Sequence, residues 1–244
     1  VAEREENLSS EQAIREAAER NGAQLFDVRH SSERFPTGKC TKRSGKRLLT
    51  VGTDCSVGKK YTALALETAM RAAGFDADFR ATGQTGVFIS GRGVAIDAVV
   101  ADFISGAVEW LSPAAAADHW YLVEGQGSLF HPSFAGVSLG LLHGAQPDAF
   151  VVCHEPTRTK MRGVQHALPS IEDVIDLSIR CGSLTNPAIR CVGIAINTAA
   201  LDDAAATALL AETSARLSLP AVDPIRTGVA PIVAEIGRVF GKAG

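Results

Sequence analysis

The sequence has little net charge and no long apolar run. It contains 24 Lys and Arg residues against 27 Asp and Glu residues, for a formal net charge of −3 at pH 7. Nucleic acids and anionic membrane surfaces attract strongly basic proteins, so this balance gives no reason to expect either partner. No stretch of 18 apolar residues occurs, which argues against a membrane-spanning helix. We therefore predict a soluble protein that acts on a small molecule.

The cysteines form no pattern that predicts a disulfide framework or a metal site. Their number is odd, and neither a CxxC pair nor a Cys/His metal spacing occurs. Some lie inside apolar, strand-like runs, where cysteine behaves as a small buried hydrophobe. We predict a cytoplasmic protein without a bound metal and with reduced thiols at Cys40, Cys55, Cys153, Cys181 and Cys191.

Most of the chain alternates between strand-like and helix-like segments. With 244 residues, 46% of them hydrophobic, it has the size of one large domain, with room for an appendage. The strand-like runs are continuously apolar, as in a parallel sheet covered on both faces, so we predict a doubly wound, mostly parallel α/β sheet. The predicted strands are 47–51, 119–124, 148–153 and 191–196, and the predicted helices are 59–74, 95–111, 170–182 and 202–217.

The N-terminal segment is different in character. Ser9 and Gln12 have the spacing of a helix N-terminus, Gly22 ends the predicted helix, and a short strand is predicted over 23–28. A polar stretch without apolar periodicity follows. We expect residues 1–40 to be the tail of a separate N-terminal α/β domain with its linker, in a chain that starts at Val1 because its beginning is missing, and residues 41–244 to be the main domain.

The stretch "LLTVGTDCSVGKKYTALAL" has the order of a phosphate-binding loop: an apolar strand, a small polar loop and a helix. In such loops, consecutive backbone N–H groups surround an anion at a helix N-terminus, and a lysine reaches the outer phosphates. This motif predicts a sheet of the P-loop NTPase type. The predicted ligand contacts are Gly52, Thr53, Asp54, Cys55, Ser56, Val57, Gly58, Lys59, Lys60 and Tyr61.

Lys60 occupies the position where a Ser or Thr normally binds Mg²⁺. A cation cannot ligate a cation, so either Asp54, Ser56 or Thr62 does so, or the loop binds a phosphorylated ligand without metal. The loop spacing resembles that of dethiobiotin synthetase, "GTDTxVGKT". That resemblance implies an ATP- and magnesium-dependent enzyme, and an Asn that contacts adenine, here Asn197.

Other polar residues follow the predicted strands, where ligands bind in such sheets. Glu124 is a candidate general base or metal ligand, or a carboxylate that caps backbone N–H groups. His154 is a second candidate base, and Lys59 completes the predicted catalytic set. The candidate substrate contacts, in loops predicted after two other strands, are Gln84, Thr85, Arg92, Glu155 and Arg158.

Seven motifs together resemble one family: "GTDCSVGKKYTALAL", "ATGQTG", "DAVVADFISGA", "VEGQGSL", "CHEP", "LPSIEDVI" and "GIAINT". They are similar, in the same order, to those of the DgcN-type P-loop family of D-glutamate N-acetyltransferases. This resemblance implies acetyl-CoA as donor, an acidic D-amino acid as acceptor and a role in amino-acid catabolism. It also implies a homo-oligomer and an N-terminal Rossmann-like domain, of which this chain would keep a remnant.

Three functions are compatible with these motifs. An acetyltransferase would use the loop to hold the phosphates of coenzyme A, which explains Lys60. An ATP-dependent ligase or carboxylase of the dethiobiotin synthetase type is the main alternative, and a nucleotide-binding sensor is the third. A variant of the acetyltransferase mechanism first transfers the acetyl group to Cys55 and then to the amine.

Overall fold

The apolar strands form the centre of a six-stranded sheet in the computed structural model, which describes residues 11–29 and 33–241. All paired neighbours run parallel, which confirms the predicted α/β fold class. The spatial order of the strands is β2-β3-β1-β4-β5-β6. Their bounds are β1 Lys46–Gly52, β2 Ala77–Arg80, β3 Trp120–Val123, β4 Ala149–His154, β5 Arg190–Ile196 and β6 Ala221–Val222.

The strand β1 lies at the switch point of the sheet. It pairs with β3 on one side and β4 on the other, so that Leu48 stands opposite Leu122 and Ala149. The chain builds the β2 and β3 side first and then crosses to the β4 side. Ligands of doubly wound sheets bind at the carboxyl ends of strands at such a point. The end of β1 is therefore where a site is expected.

Helices cover both faces of the sheet. Successive β1 residues point to opposite faces, with Leu48 in one buried apolar cluster and Leu49 in the other. Within the described residues, none of the helices has the length and apolar character needed to cross a bilayer. The helices are α1 Gln12–Arg20, α2 Lys59–Ala72, α3 Gln84–Ser90, α4 Ile104–Leu111, α5 Ala135–Ala145, α6 Ile171–Gly182, α7 Asp203–Leu217 and α8 Ala230–Phe240, with 3₁₀ turns at Ile96–Ala98 and Ala101–Phe103.

Two predictions of secondary structure after β2 are wrong. The segment predicted as one helix over 95–111 is an α-helix only over Ile104–Leu111, because Val99 adopts an extended conformation, with φ −87° and ψ 135°, between the two 3₁₀ turns. The loop predicted around Gln84 is the start of α3.

The N-terminal segment differs from its prediction in one element. The helix α1 forms with Glu11 as its N-cap, whereas the predicted cap Ser9 lies outside the described residues. No strand forms over 23–28, because no described strand pairs with this backbone. Further on, Phe35 packs edge-to-face against Trp110 at 5.6 Å, so this part of the predicted linker rests on the main domain. The boundary at residue 40 stays a prediction.

Candidate functional site

A cavity of about 550 Å³ lies beyond the carboxyl ends of β1 and β3. Its walls come from the phosphate loop, the start of α3 and the residues that follow β3. Ten of the residues singled out in the sequence line it. They are Cys55, Ser56, Gly58, Lys59, Lys60, Tyr61, Gln84, Thr85, Glu124 and Asn197. The cavity thus joins the phosphate loop to a buried carboxylate.

The phosphate loop turns tightly between β1 and α2. Ser56 and Gly58 adopt positive φ angles of 55° and 105°. A Cβ atom at Gly52 would lie 2.8 Å from Val57 Cγ2 and 3.0 Å from the carbonyl oxygen of Cys153, so a side chain there would force the loop to shift. Within the described residues, the N–H groups of 55–60 have no hydrogen-bond acceptor. A run of unpaired N–H groups at a helix N-terminus is a binding site for an anion.

Lys59 folds back over the loop. Its Nζ donates to the carbonyl oxygen of Asp54 at 2.7 Å, and the side chain is buried. Burial lowers the pKa of this ammonium group, an effect that the Cys153, Cys55 and Asp54 side chains oppose. A phosphate in the loop would offer the ammonium group a stronger acceptor than a carbonyl oxygen.

Arg158 supports the loop from outside the cavity. Its guanidinium donates to the carbonyl oxygens of Cys55 and Ser56 at 2.7 and 2.8 Å, and it pairs with Asp54 at 3.1 Å. The backbone N–H of Arg162 bonds to the same Asp54 oxygen at 2.7 Å. The carbonyl oxygens of Cys55 and Ser56 therefore accept hydrogen bonds from a side chain outside the cavity. The N–H groups of the loop stay available to a ligand.

The predicted alternative ligands for magnesium are poorly suited to a cation. Asp54 shares one oxygen with Arg158, and its other oxygen is buried without a hydrogen bond. Ser56 accepts a bond from the Arg162 guanidinium at 2.7 Å, and the Thr62 hydroxyl donates to the Gly58 carbonyl at 3.0 Å. The guanidinium groups of Arg158 and Arg162 repel a cation beside Asp54 and Ser56.

One cluster has the residue types of a metal site, but the ring nitrogens of its histidine are already engaged. Ligand atoms of Asp54, Cys55 and His131 lie within 4.8 Å of one another. The His131 ring, however, accepts a hydrogen bond from the Ser133 N–H at 3.1 Å and bonds to the Arg162 carbonyl at 2.9 Å. Both ring nitrogens are therefore engaged in holding the loops together.

Glu124 faces the cavity with one oxygen. Its Oε2 accepts bonds from the N–H groups of Thr82 and Gly83 at 3.0 and 3.2 Å, which leaves Oε1 for a ligand. Burial raises the pKa of this carboxyl group, an effect that those N–H groups and Lys60 partly offset. Glu124 thus caps backbone N–H groups, which is one of its predicted roles, and its role as a general base stays a prediction.

The other predicted residues do not line the cavity. His154 contacts the Thr53 hydroxyl at 3.1 Å, and burial lowers the pKa of its imidazole. Glu155 pairs with Arg158 at 3.1 Å. Arg92 lies on the surface, where it pairs with Asp78 at 3.1 Å. His154, Glu155 and Arg158 thus support the back of the phosphate loop, and Arg92 lies beyond the far end of α3.

A smaller recess of about 190 Å³ adjoins the helix that follows the loop. Tyr61, Asn197 and Ile225 line it, and Asn197 and Tyr61 also line the main cavity. The Asn197 side-chain oxygen accepts the Ala199 N–H at 3.2 Å, so its NH₂ group is left to donate. A mostly apolar slot with one amide donor suits a flat heterocyclic ring.

Two charged cavity residues were missed in the sequence. Arg29 lies in the stretch predicted as a linker, and its guanidinium bonds to the Gln84 side-chain oxygen at 3.2 Å and pairs with Asp97 at 2.9 Å. Both Arg29 and Asp97 line the main cavity. Asp97 begins the quoted stretch "DAVVADFISGA" and lies in a 3₁₀ turn, whereas Arg29 belongs to none of the quoted motifs. Nothing local in the sequence indicates that either side chain reaches the cavity.

Relatives with named activities cover most of this chain. A protein of Pseudoalteromonas sp. is 56% identical over 220 residues, 90% of this chain and 66% of the relative. A protein of Tritonibacter scottomollicae is 49% identical over 233 residues, 95% of this chain and 70% of the relative. Both are called D-glutamate N-acetyltransferase. The chain therefore spans about two thirds of the length of these curated relatives.

Structural and family comparisons agree with this similarity. A crystal structure of a DUF1611 family protein from Anabaena variabilis has a TM-score of 0.83 and 35% identity, and the match covers 89% of this chain and 65% of that one. The family model described as "Domain of unknown function (DUF1611_C) P-loop domain" matches residues 34–233. The chain therefore belongs to the DUF1611 family of P-loop domains.

Proposed function

We propose that this chain is the P-loop part of an N-acetyltransferase that moves the acetyl group of acetyl-CoA to the amine of an acidic amino acid, D-glutamate. The observation that carries the proposal is the row of open N–H groups at 55–60 beside Lys59 and Lys60, in a loop whose other side chains do not suit magnesium. The names of the two curated relatives support the same reaction.

The donor fits the two adjoining recesses. Coenzyme A carries a diphosphate and a phosphorylated ribose, and the loop N–H groups with Lys59 and Lys60 provide the positive contacts that these groups require. The adenine would enter the smaller recess beside Asn197 and Tyr61. A loop that holds phosphates without transferring them has no need of a hydroxyl ligand for magnesium at position 60.

Glu124 is the base in this proposal. The acceptor arrives as an ammonium ion, and Glu124 takes one proton from it to give a neutral amine. The nitrogen then attacks the thioester carbon, which forms a C–N bond and a tetrahedral oxyanion. When the C–S bond breaks, the nitrogen loses its second proton and coenzyme A leaves as the thiol. In this proposal, N–H groups near Gln84 stabilise the oxyanion, because those near Gly58 hold the phosphates.

Direct transfer is favoured over an acetyl-cysteine. A nucleophilic cysteine needs a thiolate, and so a pKa below its ordinary value. Burial instead raises the pKa of the Cys55 thiol, more than Lys59 lowers it. His154, the other predicted base, lies behind the loop and does not line the cavity.

One assay separates the three functions. The protein is incubated with acetyl-CoA and D-glutamate while free thiol is followed, and then with Mg-ATP while ADP is followed. Thiol release that requires the amino acid is the expected result. ADP release would instead support the ligase, and tight nucleotide binding with neither product would support the sensor.

We further propose that the protein works in the cytoplasm as a homo-oligomer. All five cysteines are free thiols in the structure, as a reducing compartment allows. Light scattering of the purified protein tests the assembly state, and a monomer at micromolar concentration would reject that part of the proposal.

A further inference from the structure

The cavity has positive groups on two different parts of its lining. Lys59 and Lys60 belong to the phosphate loop, whereas Arg29 approaches from the wall formed by Gln84 and Asp97. The Arg29 side chain is 24% exposed, so it is largely covered yet still reaches the cavity. These two parts of the lining can serve two different anionic groups.

The proposed reaction brings two anionic partners into this cavity. The donor contributes phosphates, for which the loop N–H groups and its two lysines are suited. The acceptor contributes carboxylates, and a guanidinium presents paired N–H donors that match a carboxylate in two-point contact. Among the arginines of the described residues, only Arg29 lines this cavity.

We propose that Arg29 binds a carboxylate of the acceptor and that Asp97 and Gln84 orient its guanidinium for this contact. The inference rests on the proposed acetyl transfer. Asp97 holds one end of the guanidinium at 2.9 Å, and Gln84 contacts Nη1 at 3.2 Å. Thr85 lines the same wall and offers a hydroxyl to the same ligand.

This assignment divides the site between two parts of the chain. The family model begins at residue 34, so Arg29 precedes the matched P-loop domain. The phosphate loop at 52–61 lies within the matched part. Substitutions in the phosphate loop should therefore affect donor binding, and a substitution of Arg29 should affect acceptor binding. The acceptor must carry an acidic group to bind well.

The test is steady-state kinetics of Arg29→Gln and Arg29→Lys in the full chain. We expect Arg29→Gln to raise the KM for D-glutamate about 10- to 100-fold with the KM for acetyl-CoA unchanged, because a hydrogen-bonded charge pair is lost. Arg29→Lys should recover part of the loss. Arg238→Gln removes an exposed arginine paired with Glu235 on α8 and is the matched control.

A second measurement distinguishes ligand contact from a structural role. Wild-type protein should prefer D-glutamate over an amine of similar length without carboxylates, and Arg29→Gln should reduce that preference. Thermal unfolding checks that each variant is folded. An unchanged acceptor KM in an active Arg29→Gln variant, or an equal rise for donor and acceptor, would overturn the inference.

The proposed function and this inference fail in different ways. If wild-type protein transfers no acetyl group, the proposed function fails, and calorimetry with D-glutamate in the presence of coenzyme A then tests Arg29 directly. Weaker D-glutamate binding by Arg29→Gln supports the contact. Equal binding, or no binding by the wild type, rejects it.

Discussion

Lys60 gives the phosphate loop its particular chemistry. It follows Lys59 at the start of α2, where two positive side chains oppose the helix dipole at a cost of about 0.3–1 kcal/mol each. A bound diphosphate reverses that cost, because its charge is attracted both by the lysines and by the helix N-terminus. The loop is therefore suited to hold an anion, and less suited to hold the magnesium ion that phosphoryl transfer uses.

Replacing Lys59 by Ala should weaken the binding of coenzyme A by about 10- to 100-fold, because a contact between an ammonium group and a phosphate is lost. Titration calorimetry with coenzyme A measures the effect. Lys160→Ala is the control, since that side chain bonds to Gln165 on the surface and does not line the cavity. Equal affinities for Lys59→Ala and wild type would place the donor elsewhere.

Replacing Glu124 by Gln should lower kcat by about 10²- to 10⁴-fold and leave donor affinity unchanged, because the amide cannot accept the proton of the acceptor. The amide oxygen still accepts the Thr82 and Gly83 N–H bonds at the Oε2 position. A comparable loss of donor binding in this variant would show that the carboxylate is structural and not a base.

The pH profile gives an independent test of the same residue. Glu124 acts as a base only when it is ionised, and burial raises its pKa above the usual 4.5 of glutamate. Activity should therefore fall as the pH is lowered through this raised pKa, with the acid limb of log(kcat/KM) lying above pH 4.5. The acid limb should disappear from the residual activity of Glu124→Gln.

At the scale of elements, α3 holds the Glu124 carboxylate in place. Gly86 lies on the face of this helix that meets the carboxylate, and a methyl group there would overlap Oε2. The carboxylate is thus enclosed between α3 and the N–H groups of Thr82 and Gly83. The position of the proposed base depends on the close approach of a helix that the sequence did not predict.

Gly86→Ala should reduce kcat by at least about tenfold, because the added methyl group displaces the carboxylate from its N–H donors. Gly136→Ala is the control, since a side chain at that position in α5 meets nothing within 4 Å and alanine favours the helix. Both activity and thermal unfolding are measured. A Gly86→Ala variant with full activity would contradict the geometry assigned to Glu124.

Several elements with an apolar period or a cap were predicted, although the amphipathic helix α8 was not. The helix α6 begins with a capping box between Ser170 and Asp173, which marks its start in the sequence. In contrast, α5 contains three glycines in 11 residues and has no amphipathic pattern. It is helical because Leu141 and Leu142 are buried in the core, which is a tertiary reason.

At the scale of the molecule, the parallel sheet brings distant residues to one edge. Lys59 follows β1, Glu124 follows β3 and Asn197 follows β5, and all three line the same cavity. Carboxyl ends of parallel strands share one edge of the sheet, so the sequence order was enough to predict this convergence. Arg29 lines the same cavity but comes from the N-terminal segment, which precedes β1 and does not follow a strand of the sheet.

The packing of the N-terminal segment on the main domain should contribute to stability. The Glu109 carboxylate on α4 accepts the N–H groups of Lys39 and Cys40 at distances of 2.8–3.1 Å. Glu109→Ala should lower the free energy of unfolding by about 1–3 kcal/mol, because two N–H groups lose a charged acceptor. Urea denaturation measures this change.

Glu235→Ala is the comparison for that measurement. Glu235 pairs with Arg238 on the surface, and exposed pairs of this kind contribute little to stability. If Glu109→Ala is as stable as Glu235→Ala, the contact between 39–40 and α4 is not formed in solution.

The sequence by itself determined the sheet, the phosphate loop and the set of strands that end at the site, because apolar runs and backbone turns are local properties of the chain. Only the tertiary structure decided which side chains share the cavity. Arg29 meets Gln84 across 55 residues, while His154 lies behind the loop. Such positions depend on how loops pack against elements distant in sequence, and no local pattern encodes that packing.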